Sequence, residues 1–132
     1  MKRDNLNPST LSAPRGYSHV TVVTSNKQVH VSGQVALDAT GAVVGKGDLT
    51  KQAEQVYTNL GLALAAAGAK LSDVFKVVTY VVNLDPDKAA LVRAVRNQQL
   101  GEGPYPASTM VGVTALVNPD LLIEIEAIAA LD

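Results

Sequence analysis

Between Val74 and Val82 the sequence reads Val-Phe-Lys-Val-Val-Thr-Tyr-Val-Val, and this stretch limits the possible folds more than any other. Side chains of a strand alternate between its two faces, and apolar residues occupy both alternate sets here. A strand of that kind belongs inside a sheet, not at its edge, because both of its faces need cover. The expected strand runs from Asp73 to Asn83 and is central.

Helices flank it. Asp48 supplies an N-cap, and Ala53, Val56, Leu60, Leu64 and Ala67 follow at spacings of three and four until Gly68 offers a stop. Asp85-Pro86 opens a second helix, with Asp as N-cap and Pro at its first position, running to about Leu100, where Gly101-Glu102-Gly103-Pro104 breaks it. Upstream, His19–Thr24 and Gln28–Ser32 are β-branched and half-alternating around Ser25-Asn26-Lys27, which predicts a hairpin. Asp38–Gly47 reads as a loop with one short strand at Ala42–Val44, and residues 1–16 as an irregular lead-in. Two last strands, Ser108–Leu116 and Leu121–Ala130, are joined by Asn118-Pro119-Asp120. The expectation is a single α/β domain over residues 1–132, of the α+β mixed-sheet kind and ordered ββαβαββ. Right-handed crossovers put both helices on one face of its sheet.

Two helices cover one face only. The apolarity of residues 74–82 and 121–131 then calls for a second copy of the chain on the other, the alternative being a monomer with a partly polar open face. The 11 Lys and Arg balance 12 Asp and Glu, and no basic run extends beyond Lys2-Arg3, which weighs against nucleic acid as a partner. With no cysteine, thiolate chemistry is excluded, and His19 and His30 fall in no metal-ligand spacing, so no metal is expected. The first twelve residues lack an apolar core, and no later apolar run is long enough to span a bilayer. A cytoplasmic protein, with no membrane partner, is expected.

Four segments, in order, carry a family likeness: Gly16-Tyr17-Ser18, Val31-Ser32-Gly33-Gln34, the Gln55–Gly68 helix ending in Ala-Ala-Gly, and Ile123-Glu124-Ile125-Glu126-Ala127. Together they resemble the Rid/YjgF proteins, also known as L-PSP endoribonucleases, over nearly the whole chain. The resemblance implies a chorismate-mutase-like subunit, a homotrimer and three clefts between neighbouring subunits. It also implies hydrolysis, without a cofactor, of reactive imines and enamines such as the 2-aminoacrylate that pyridoxal-phosphate enzymes release. Carried over by motif, Tyr17 sits at the cleft, Ser32 and Gly33 form a neighbouring wall, and Glu124 positions or polarises the attacking water. One position departs from the pattern. The RidA branch has an arginine whose planar fork pairs with a substrate carboxylate, and here Pro106-Ala107-Ser108-Thr109-Met110 puts Ser108 in its place. Losing such a pair, about 1.5 to 3 kcal/mol, predicts carboxylate binding weakened at least tenfold and a poor 2-imino-acid deaminase.

The residues have readings of their own. Glu124 and Glu126 share one side of a strand whose other side is Ile123, Ile125 and Ala127, so they face either a cleft or solvent. In a cleft, Glu124 suits proton transfer with a bound water. Tyr17 offers a phenol to a ligand or anchors the lead-in by packing. Ser32 has no partner base and is confined to hydrogen bonding, while Gly33 permits close approach of a ligand to the backbone. Ser108 donates one hydrogen bond or merely fills its strand, and Tyr105, between two prolines, walls the cleft. Arg93 and Arg96 are expected on a solvated helix face unless they reach the cleft to replace the missing cation. The functional expectation is a small-metabolite cleft, acting on C=N compounds or, alternatively, binding without turnover. A ribonuclease is disfavoured by two unpaired histidines and the lack of a basic run.

Overall fold

A computed structural model describes residues Met1–Asp132. It contains six strands, β1 (Lys2–Leu6), β2 (Val20–Thr24), β3 (Lys27–Val35), β4 (Val74–Val82), β5 (Ala107–Val113) and β6 (Ile123–Leu131). Two α-helices, α1 (Leu49–Ala66) and α2 (Pro86–Leu100), flank β4. No helix is long and apolar enough to cross a membrane.

The four long strands form one mixed sheet in the order β3-β6-β4-β5, with β4 and β5 parallel and the other pairs antiparallel. As its two apolar faces require, β4 is internal. Both helices pack on one face, where Val31, Val77, Val81, Ile123, Ile125 and Ala127 meet Val56, Tyr57, Leu60 and Leu64 of α1 and Val92 and Val95 of α2. Each helix starts where the sequence places it: Asp48 accepts from the Lys51 amide and Asp85 from the Lys88 amide. The Gln52 side chain, fully buried on α1, donates to the Gly45 and Asp120 carbonyls and accepts from the Leu122 amide. That one amide ties α1 to the chain that enters β6.

The other face has no helix over it. Val78, Tyr80, Val82, Glu124 and Ile128 are half-buried there, and Glu126 is exposed.

Three expectations about the N-terminal third are corrected. Residues 2–6 are not irregular but form β1, and β2 pairs with β1, not with β3, so the hairpin expected across Ser25-Asn26-Lys27 does not form. The cause is competition for partners: β3 pairs with β6 and buries Val31 against the helices, while β2 closes a separate two-stranded ribbon. Side chains dock that ribbon on the main sheet. Arg3 donates to the Val74 carbonyl at 2.8 Å, Thr21 to the Phe75 carbonyl at 3.0 Å, and Asn5 to the Tyr105 carbonyl at 2.7 Å. The short strand expected at Ala42–Val44 is reduced to a single bridge between Leu37 and Val43.

Candidate functional site

Glu124 and Gly33 come together on the open face. Val31 pairs with Ala127 and Gln34 with Ile125, so Ser32 and Gly33 together oppose Glu126 alone, a β-bulge. The bulge turns Gly33 toward the Glu124 carboxylate: a Cβ built on Gly33 would lie 2.3 Å from Oε2 and 2.7 Å from Cδ. No side chain fits between them, and the carboxylate lies against the Gly33 backbone. Ser32 beside it is exposed.

Across the strand pair, Glu124 faces Tyr80. The Tyr80 hydroxyl donates to Glu126 Oε1 at 2.5 Å, and this bond holds the phenol above the usual tyrosine range, with lesser contributions from desolvation and from the charges of Glu126 and Glu124. Tyr80 was not singled out from the sequence as a site residue. Its position in the same alternate set as Val78 and Val82 was the available signal. A cavity of about 450 Å³ also opens beside Gly33, between β3 and α1, where Asn59 pins the wall by donating to the Val35 and Leu37 carbonyls. Glu124 does not line it.

Tyr17, Tyr105 and Ser108 lie at the opposite edge of the sheet. Ser18 bridges to Ala107, its amide donating to the Pro106 carbonyl at 3.0 Å and its hydroxyl to the Tyr105 carbonyl at 2.6 Å, which anchors Tyr17 beside the start of β5. The Tyr17 ring meets His19 edge-on at 5.4 Å. The Tyr105 hydroxyl donates to the Gly101 carbonyl at 2.8 Å, a local bond. Ser108 is in register with Val77 and shares its face with the core-packed Met110, so it projects from the side of the sheet opposite to Glu124. With β6 and β4 between β3 and β5, Ser108 and the Gly33 bulge stand at separate edges of the sheet, and one chain does not bring them together.

Neither imidazole hydrogen-bonds to a residue of these two groups. His19 Nε2 is 2.6 Å from the Ser12 carbonyl and His30 Nε2 is 3.1 Å from Gln28 Oε1.

Arg96 departs from the expectation of a solvated helix face. It is only 6% exposed, because the chain at Gly16 folds over it: a Cβ on Gly16 would lie 2.4 Å from its Nη2. That nitrogen donates to the Arg15 carbonyl at 3.0 Å, while the buried Nε has no partner. Desolvation pulls the Arg96 guanidinium below its usual range, the phenols of Tyr57, Tyr105 and Tyr17 oppose that, and the charge of Arg93 adds to it. Arg93 is exposed, as expected.

Known proteins share the sequence and the fold of this chain. Residues 8–131 fit the family described as endoribonuclease L-PSP. A RutC family protein of Synechocystis is 36% identical over 110 residues, 83% of this chain and 82% of that protein. The 2-iminobutanoate/2-iminopropanoate deaminase of Dermatophagoides farinae is 31% identical over 79% of this chain and 78% of its own length. Among solved structures, a Rid-family protein of unknown function from Yersinia pestis superimposes with a TM-score of 0.90 at 42% identity, covering 99% of this chain and all of that one. The chain therefore belongs to the endoribonuclease L-PSP family, that is, to the Rid/YjgF proteins.

Proposed function

We propose that this protein hydrolyses small imines or related C=N metabolites in a cleft between copies of the chain, arranged as a homotrimer. Tyr17, Tyr105 and Ser108 of one copy would face Ser32, Gly33 and Glu124 of the next. The observation that carries the reading is the Glu124 carboxylate lying against Gly33 on an uncovered, half-apolar face. The placement of the remaining candidates at the far edge, which only a neighbour can bring close, supports the assembly, and the imine deaminase among its relatives supports the chemistry.

Glu124 has the role of general base. It accepts a proton as the water oxygen bonds to the imine carbon, and the C=N π pair moves onto nitrogen. Two protons then reach that nitrogen, one from Glu124 and one from the new hydroxyl, and ammonia leaves as the carbonyl forms, so imine and water give carbonyl and ammonia with no redox partner. No metal or cofactor is required by this route.

Ser108 cannot supply the guanidinium fork that the RidA branch uses, so the protein is a weak catalyst for short 2-imino acids that depend on that contact. The test generates imines with an amino-acid oxidase and traps the remainder with semicarbazide. Faster imine loss with the wild type, cut about a hundredfold by Glu124→Gln, is expected for removal of a general base. No acceleration with any neutral or anionic imine rules the reading out. Shifts in melting temperature with ligand but without turnover would replace it by a metabolite-binding role.

A further inference from the structure

Three arginines from distant parts of the chain gather beside Tyr17. Arg15 and Arg93 line, with Ala13 and Tyr17, an open cavity of about 370 Å³. Arg96 is buried one helical turn from Arg93, its Nη2 bonded to the Arg15 carbonyl. Nothing acidic answers them. The ion pairs of the protein join Met1 to Asp132, Lys2 to Asp4 and Lys46 to Asp120, all elsewhere. On α2, the positions three and four residues from Arg93 are Ala89, Ala90, Arg96 and Asn97, so its own helix offers no carboxylate either.

Positive charges brought together without a counter-charge repel one another, and burial of Arg96 makes that repulsion less screened than at an open surface. A fold that keeps such a cluster around a cavity with a phenol on its wall has the features of an anion site. The guanidinium plane suits an oxyanion best, since it offers parallel donors to two oxygens of one group.

We propose that the Arg15–Tyr17–Arg93 cavity binds the oxyanion of a small ligand, a carboxylate or a phosphate, with Arg96 reinforcing its positive potential from behind. The inference rests on the proposed C=N chemistry only in taking Tyr17 as the residue shared with the substrate cleft. It sharpens the substrate class: an anionic C=N compound held by Arg93 and Arg15, its charged end placed otherwise than in a ligand recognised from position 108. Arg96 touches no ligand and is a positioning residue, holding the Arg15 backbone.

The test titrates wild type, Arg93→Gln, Arg15→Gln and Lys51→Gln with sodium propanoate and, separately, with inorganic phosphate, at low ionic strength. Calorimetry reads binding, and sedimentation of the same samples reads assembly. Expected is one oxyanion per chain, weakened tenfold or more by Arg93→Gln and by Arg15→Gln, unchanged by Lys51→Gln, and weakened by added chloride. The propanoate and phosphate arms say which oxyanion is preferred. Equal binding by wild type and Arg93→Gln overturns the proposal. So does an absence of binding, and if Arg93→Gln then also alters the assembly, a carboxylate of a neighbouring copy occupies the cavity. Failure here leaves the Glu124 reading intact if imine loss still depends on Glu124. Conversely, Arg93-dependent anion binding without imine turnover would leave this site standing and remove that chemistry.

Discussion

Tyr57 and Tyr80 hold their protons more tightly than an ordinary phenol does, for opposite reasons, and the difference separates the two faces of the sheet. Tyr57 lies on the helix-covered side, 2% exposed, and burial pushes its hydroxyl up to about 12, with the charge of Arg96 pulling weakly the other way. Tyr80 stands on the open side, where a hydrogen bond to Glu126 is the main cause. One face perturbs a group by excluding water, the other by placing a carboxylate against it. The first environment makes the protein stable. The second is chemically equipped, and the alternation of β6 serves both: Ile123, Ile125 and Ala127 point into the core while Glu124 and Glu126 point out of it.

The sharpest way to break this division is to truncate one residue on each side. Ile125 is completely buried, and Ile125→Ala is expected to cost about 2–5 kcal/mol in urea unfolding, through lost burial and the cavity left behind. Val111 on the open face is 38% exposed, and Val111→Ala is expected to cost under about 1 kcal/mol in the isolated chain. Equal losses would mean that the uncovered face is as closed as the core, as it would be if copies of the chain bury it. Repeating both measurements across protein concentration tells the two situations apart, because only the Val111 effect should grow with assembly.

How much of this was readable from residues follows the same division. The helix-covered face was legible because its cause is local and periodic: Asp48 and Asp85 cap their helices, Val56, Leu60 and Leu64 recur at helical spacing, and the two-faced β4 had to be internal. Strand pairing was less so. The β2–β3 hairpin failed because turn residues at 25–27 mark a reversal of the chain without saying which strands pair after it, and β1 was missed because Lys2–Leu6 is polar and held by Arg3 and Asn5 side chains to carbonyls about 70 and 100 residues away. The site divides likewise. The glycine in a strand signals a close approach at Gly33, but as room for a ligand, and that the Glu124 carboxylate takes the space depends on the bulge; Arg15, Arg93 and Arg96 are scattered along the chain and meet only after Gly16 folds over α2. Ser108 was placed correctly in β5, but its face depends on register with Val77, which residue spacing does not reveal.

The next effect is the pH dependence of the helix side. Tyr57 is raised in the folded state relative to an unfolded value near 10, so the neutral phenol is favoured by folding. Its contribution is therefore complete below about pH 10 and is lost as pH rises toward about 12. Two units correspond to about 2–3 kcal/mol at most. Chemical unfolding of wild type between those limits should show stability falling with pH, and Tyr57→Phe should flatten the slope. An unchanged slope in the variant would mean that other groups carry the alkaline loss and that Tyr57 is reached by water.

The smallest effect belongs to Tyr80 and is spectroscopic. Its hydrogen bond to Glu126 favours the protonated phenol, so ultraviolet titration should find Tyr80, identified by its loss in Tyr80→Phe, ionising above the usual tyrosine range. Glu126→Gln removes the carboxylate charge and weakens the acceptor, so the titration should move down toward the ordinary value, with desolvation and then the charge of Glu124 leaving a smaller upward shift. Because the phenol stands on the uncovered face, added salt should diminish the part due to charge and spare the part due to the hydrogen bond. If Glu126→Gln leaves the titration where it was, desolvation governs Tyr80 as it governs Tyr57. The open face would then be a covered surface in solution, and its phenol would report the copy lying over it.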